Sequence, residues 1–299
     1  MKKLTQTIVN FPKRITRNSI LEFIRKTNFI YSTEGQQKPY VYFLINEIKE
    51  IDLLGVLVIY KVLEYSYKNR CFLSPTLQQN STFTKCIKDF GFGELISECF
   101  KDTEKAYKNL KTETINGFLV APMALINNAQ ETEKLTNSTI QKIEQYFENE
   151  NISNASEACI MISVILSELF GNFYAHASDK TNSIIVVRGN KRRVQITCAD
   201  SGLGITETLR TLDIYKTKPE EYILRQALKK GVTSKPRTNH MGHGLWLIDD
   251  IVSKNNGILF IYTQSVNYTN AHNKKKVISV PKWKGTIIDI ELNLENPCY

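Results

Sequence analysis

The chain has 299 residues, enough for two domains that each bury a core of their own. Its 42% hydrophobic and 23% charged content is that of a globular chain and excludes extensive disorder, while apolar runs such as 53–60 and 159–162 fall far short of the roughly 20 residues of a membrane span. The net charge of +9 is spread along the chain, with only short basic clusters at 191–193, 229–230 and 274–276, so solvated loops are expected and a nucleic-acid partner is not. Six cysteines, at 71, 86, 99, 159, 198 and 298, show no C-x-x-C or other metal spacing, which suits reduced thiols in a cytoplasmic setting. Thr5, Gln6, Thr7, Asn10 and Pro12 interrupt the apolar core that a signal peptide needs, and no membrane association is expected.

In chain order, Tyr40 to Ile45 is a predicted buried strand, followed by a turn at Ile51-Asp52 and an amphipathic helix from Leu53 to Tyr67. Cys71 to Ser74 is a second strand. Ser81 to Phe90 then forms a helix closed by Gly91, with Gly93 close behind. The alternation of strand and helix implies an α/β layer with a partly parallel sheet.

Over residues 4–105 this half resembles a STAS domain, the fold of anti-sigma factor antagonists. The resemblance rests on Ile51-Asp52-Leu53-Leu54-Gly55 at a helix start and on Gly91-Phe92-Gly93 after the later helix. In that family the residue after the Asp is typically a phosphorylatable Ser, whereas Leu53 and Leu54 stand here, so no hydroxyl is available at this turn. An apolar pair that is partly exposed would instead be a contact surface for a neighbouring domain or protein. The STAS-like domain is assigned to 1–115 and a connection to 116–128, with Phe118 to Ala121 as a strand or its fragment. No Gly/Ser-rich linker is present, so packing of the two domains is expected.

The second half, 129–299, opens with a predicted helix over Asn137 to Glu148 and a polar loop at 149–154 that caps the next helix. On that helix Glu168, Asn172 and His176 follow at i, i+4 and i+8 and so form one polar column on an apolar segment. An amide oxygen beside a carboxylate suits Mg2+, which normally arrives with phosphate oxygens. The alternation of Arg193 to Ala199 predicts a strand with Asp200 at its end, where a carboxylate can accept from an exocyclic amine. Gly202 and Gly204 then permit the backbone to approach a flat base, before Ile205. Gly242, His243 and Gly244 precede a helix starting at Leu245, whose free N–H groups make a phosphate cradle to which His243 contributes its backbone.

These blocks resemble, in order and spacing, the GHKL ATPases: gyrase, heat-shock chaperones, histidine kinases and mismatch-repair proteins. The expected fold is an α/β sandwich with a mixed sheet and helices on one face. The resemblance implies ATP and Mg2+ as ligands, with Glu168 orienting or deprotonating the attacking group, Asn172 holding Mg2+ and Asp200 binding adenine. It also implies that Thr286, after Gly285 and before the closing strand Ile287 to Leu292, supports the adenine contact through water, and that 206–241 is a mobile lid. A His stands at the His176 position in similar anti-sigma kinases, and a structural His fits equally. Lys235 and Arg237 are lid charges that either reach the terminal phosphate or are simply solvated. The implied function is a cytoplasmic ATP-dependent switch working with the fused STAS-like half. The alternatives are a protein serine/threonine kinase acting on a separate STAS or sigma-regulator partner, and a nucleotide-binding scaffold. A homodimer is compatible with each. The lack of any His before residue 150 argues against an ordinary histidine kinase.

Overall fold

The computed structural model describes residues 6–32, 40–45, 47–69, 72–73, 81–99, 117–125, 129–176, 183–234 and 242–295. The chain is mixed α/β and divides into two compact units, Met1–Ile115 and Asn116–Tyr299.

The first unit runs β1 (Gln6–Asn10), β2 (Arg14–Ile15), α1 (Ile20–Thr27), α2 (Phe29–Ser32), β3 (Tyr40–Leu44), β4 (Glu50–Ile51), α3 (Leu53–Lys68), β5 (Phe72–Leu73), α4 (Thr82–Asp89) and α5 (Gly93–Cys99). β1, β3 and β5 form a parallel sheet in that order, and β2 pairs in parallel with β4. Parallel pairing needs crossovers, and helices supply them between successive strands. Val41, Phe43 and Ile45 are buried, and Phe11 meets Phe23 edge-on at 4.9 Å between ring centroids.

Asp52 explains the turn at the start of α3. Its backbone is extended, Oδ1 accepts the Gly55 N–H at 2.8 Å, and Oδ2 accepts the Arg17 N–H at 2.8 Å. One carboxylate thus caps the helix and ties it to the chain beyond β2. Gly55 lies so close to β2 that a Cβ there would stand 2.0 Å from the Ile15 carbonyl oxygen. Two expectations are corrected here. α3 is not amphipathic, because fourteen of its sixteen residues are buried, and Leu53 and Leu54 are 1% and 0% exposed, so they are interior and not a solvent-facing contact surface. Lys61 and Glu64 are buried as an ion pair at 2.5 Å, with Lys68 at 3.0 Å from the other Glu64 oxygen. Helix α4 ends as predicted, with Gly91 at φ +72° and the Phe92 N–H donating to the Ile87 carbonyl at 2.9 Å.

The second unit runs β6 (Phe118–Leu125), α6 (Ala129–Asn149), α7 (Ala155–His176), β7 (Ser183–Gly189), β8 (Arg193–Ala199), α8 (Ile205–Leu209), a 3-10 turn at Asp213–Tyr215, α9 (Glu220–Ala227), α10 (Gly244–Lys254), β9 (Ile258–Ala271) and β10 (Lys274–Asn293). The five strands lie in the order β6-β7-β8-β10-β9. Residues 118–125, assigned to the connection on sequence, are therefore the edge strand of this sheet.

Every neighbouring pair in the sheet is antiparallel, where a mixed sheet was expected. The helical crossover from β8 to β9 does link two strands of the same direction. The hairpin at His272 and Asn273, with φ +50° and +65°, then folds β10 back between them.

On one face of the sheet, Ile185, Val187, Ile196, Cys198, Leu259, Ile261, Ile288 and Ile290 form one apolar core with α6, α7, α9 and α10. A 19-residue stretch of α7, Ala155–Phe173, has the length and hydropathy of a membrane-crossing helix, yet half of it is buried, with Ile162, Ile165, Leu166, Leu169 and Phe170 in that core. The opposite face is buried too, with Gln195 and Thr197 donating to Asp289 Oδ1 at 2.8 and 2.5 Å. The basic cluster at 191–193 is ion-paired: Lys191 to Glu150, Arg192 to Glu295 and Arg193 to Glu291.

Candidate functional site

Helix α7 carries Glu168 and Asn172 one turn apart, on the side that faces the amino end of α10. A Cβ at Gly244, the first residue of α10, would lie 2.5 Å from Glu168 Oε2 and 3.5 Å from Asn172 Nδ2. Only a glycine lets the Glu168 carboxylate reach this helix end. The His243 ring stands edge-on to Trp246 at 6.1 Å, and the Lys230 ammonium lies 4.9 Å from the same indole, so the first turn of α10 is flanked by aromatic and cationic groups.

Across the cavity, β8 is followed directly by Asp200, which is 8% exposed. Its backbone N–H donates to the Thr286 carbonyl at 2.9 Å, and its Oδ1 accepts the Gly202 N–H at 2.6 Å. Gly202 thus turns the chain behind the carboxylate and does not itself line the cavity. Gly285, at φ +92°, is packed so tightly on Asp200 that a Cβ would stand 2.3 Å from the Asp200 carbonyl oxygen.

The cavity between them has a volume of about 300 Å³. Glu168, Asn172, Asp200, Gly204, Ile205, Gly242, His243, Gly244, Leu245 and Thr286 all line it, so residues from four separate sequence blocks converge on one hollow. Leu169, Phe173, Leu209 and Ile288 form apolar wall, and Thr233 and Ser234 add hydroxyls. A hollow where apolar walls meet convergent polar groups has the form of a small-molecule site. His176 closes α7, and its side chain lies outside the described residues, as do Lys235 and Arg237.

Of the segment expected to be a lid, 206–234 is described and much of it is helical, while 235–241 lies outside the described residues. Residues 206–231 carry α8, the 3-10 turn and α9, and Leu209, Tyr215, Ile223, Leu224 and Ala227 belong to the core. The Gly231 N–H donates to the Gly242 carbonyl at 3.0 Å. Gly242 is at φ +68°, where a Cβ would meet the Val232 carbonyl carbon at 2.7 Å.

Sequence reasoning missed Thr263 and Gln264 of β9. Thr263 Oγ1 accepts the Ile205 N–H at 2.9 Å and donates to the Gly285 carbonyl at 3.2 Å, while Gln264 Nε2 donates to the Leu203 carbonyl at 2.5 Å. Nothing local in the sequence marks them, because their importance comes from strand pairing across the sheet.

Burial raises the Cys198 thiol well above its ordinary range, and the nearby Asp200 and Asp289 charges add to this. Burial likewise pushes Cys159 up to about 11, helped by Glu144 and Glu148, so neither thiol is a nucleophile at neutral pH. No protein-family model matches the chain, and no curated protein matches it by sequence.

Proposed function

We propose that the protein binds ATP in this cavity and acts as a cytoplasmic ATP-dependent regulatory switch, with a GHKL ATPase domain in Asn116–Tyr299 and a STAS-like domain in Met1–Ile115. The observation that carries the reading is the meeting of Asp200, Thr286 and an apolar wall with the amino end of α10, Glu168 and Asn172 around one hollow. Asp200 suits the amino edge of adenine, and Leu169, Phe173 and Ile288 suit its faces. The N–H groups at the start of α10 favour phosphate oxygens.

Glu168 stands at that helix end, where a carboxylate can orient or deprotonate an attacking group. A base so placed typically contributes about 10²–10⁴-fold. Asn172 is the residue that would hold Mg2+. Among the described residues no group of three His, Cys, Asp or Glu side chains could cage a metal, which fits an ion that takes its other ligands from phosphate and water. Bound Mg2+ would neutralise phosphate charge.

The alternative, a serine/threonine kinase for a separate STAS partner, is favoured by one observation. Leu53 and Leu54 offer no hydroxyl and are buried, so an acceptor at that position has to lie in another protein. Purified protein incubated with γ-labelled ATP and Mg2+ separates the readings. Free labelled phosphate supports the switch, label on an added STAS protein supports the kinase, and binding with neither supports a scaffold. Lack of ATP binding would defeat all three.

A further inference from the structure

We infer that Gln264 is a positioning residue, one that holds the Asp200–Ile205 turn in the shape the cavity needs; as a statement about ligand binding this rests on the nucleotide reading above. β9 and β10 lose register between Ser279, Trp283 and Thr286, and opposite this irregularity Gln264 adopts φ +48°. A non-glycine residue in left-handed backbone needs compensation, and such residues gather at functional sites. Here the conformation accompanies a buried side chain, 7% exposed, whose Nε2 donates to the Leu203 carbonyl in the middle of the turn.

The fit is mutual. Gly204, at φ +82°, has no room for a Cβ, which would stand 2.6 Å from Thr263 Oγ1 and 3.3 Å from Gln264 Cγ. The turn is therefore gripped from behind by two consecutive side chains of β9, one at the Leu203 carbonyl and one at the Ile205 N–H. Asp200 Oδ1 already holds the Gly202 N–H from the other side. Leu203 is 63% exposed, so its side chain is a weak anchor for the turn, and loss of the Gln264 contact falls on the residues that follow Asp200.

Two variants of the full chain test this. Gln264→Gly accepts the left-handed backbone without strain and removes the side chain, whereas Gln264→Leu keeps the bulk and deletes the donor. Hydrogen exchange of the ligand-free protein should show peptides covering 200–206 exchanging about tenfold faster in both, the effect of one lost buried hydrogen bond. Peptides of α9 should stay unchanged, because Glu220 grips the next residue through the Ser265 backbone N–H, which both variants keep. ATP affinity by calorimetry should fall by about the same factor, with Gln264→Gly still unfolding in one cooperative transition. Unchanged exchange at 200–206 in both variants overturns the inference whether or not the protein binds ATP. Faster exchange with undiminished ATP affinity overturns the role in ligand binding. Faster exchange in a protein whose wild type binds no ATP upholds the grip on the turn and defeats the nucleotide reading instead.

Discussion

Replacing Gly244 by alanine introduces one methyl group at the point where α7 meets α10. The new Cβ would sit 2.5 Å from Glu168 Oε2, and an ordinary contact begins near 3.4 Å, so the carboxylate has to retreat by about 0.9 Å. Asn172 Nδ2, at 3.5 Å, need not move. Because the displaced atom is the end of a flexible side chain, the conformational cost is about 0.5–1.5 kcal/mol. Alanine in place of glycine in a helix returns about 0.5–1 kcal/mol, so the melting temperature should barely change. Catalysis is far less tolerant, since a misplacement of about 1 Å costs on the order of 10²-fold. Gly244→Ala is therefore predicted to melt like wild type, bind ATP with similar affinity and release phosphate about a hundredfold more slowly. Thermal denaturation, calorimetry and a phosphate-release assay on one preparation decide it. Undiminished turnover would refute the placement of Glu168 as the base. A parallel loss of affinity and turnover would show that the glycine serves phosphate approach instead.

Asp52→Ala should lower stability by about 1–2 kcal/mol, seen as an earlier urea midpoint with unchanged slope, because one carboxylate caps α3 and holds the Arg17 N–H. Lys61→Met removes one of the two cations on the buried Glu64, with Lys68 remaining, and should cost about 1–3 kcal/mol. For Glu64 burial pushes the carboxyl up, but Lys61 and Lys68 outweigh it and the result lies below the usual 4.5, so its contribution is complete above that pH and is lost as pH falls through the lower folded value. A stability-against-pH series should show the wild-type decline below pH 4.5 weakened in Lys61→Met. Cys159 and Cys198 should stay unlabelled by iodoacetamide at neutral pH in the folded protein and react only after denaturation, as read by peptide mass spectrometry.

The parts of the fold that were legible in the sequence are those set by local rules. Asp52 and Gly91 mark helix ends through capping and left-handed backbone, and the alternation of Arg193 to Ala199 marks β8 residue for residue. The site was legible as three glycine-punctuated blocks and a polar pair on α7, and these do line one cavity. What stayed hidden depends on neighbours distant in sequence. β7 lacks alternation because Ile184 to Val187 are buried on both sides, and the direction of β10 is set by the hairpin at His272 and Asn273. α3 is interior on all sides, and its charged Lys61 and Glu64 are accommodated there because each neutralises the other. The grip of Thr263 and Gln264 on the 200–205 turn needs a strand irregularity that leaves no trace in the local residue pattern.

The central claim, that ATP is recognised at Asp200, is tested most directly by calorimetry of wild type and Asp200→Asn with ATP and Mg2+. Asparagine is nearly isosteric, and its carbonyl oxygen can still accept the Gly202 N–H, so the turn survives. It nevertheless presents an amide N–H₂ where the carboxylate offers a second acceptor, and a buried mismatch of that kind costs about 1–3 kcal/mol. Wild type should bind ATP with Mg2+, and Asp200→Asn, folded to the same melting temperature, should bind at least about tenfold more weakly. No binding by wild type, or equal affinity in both proteins, would contradict the account.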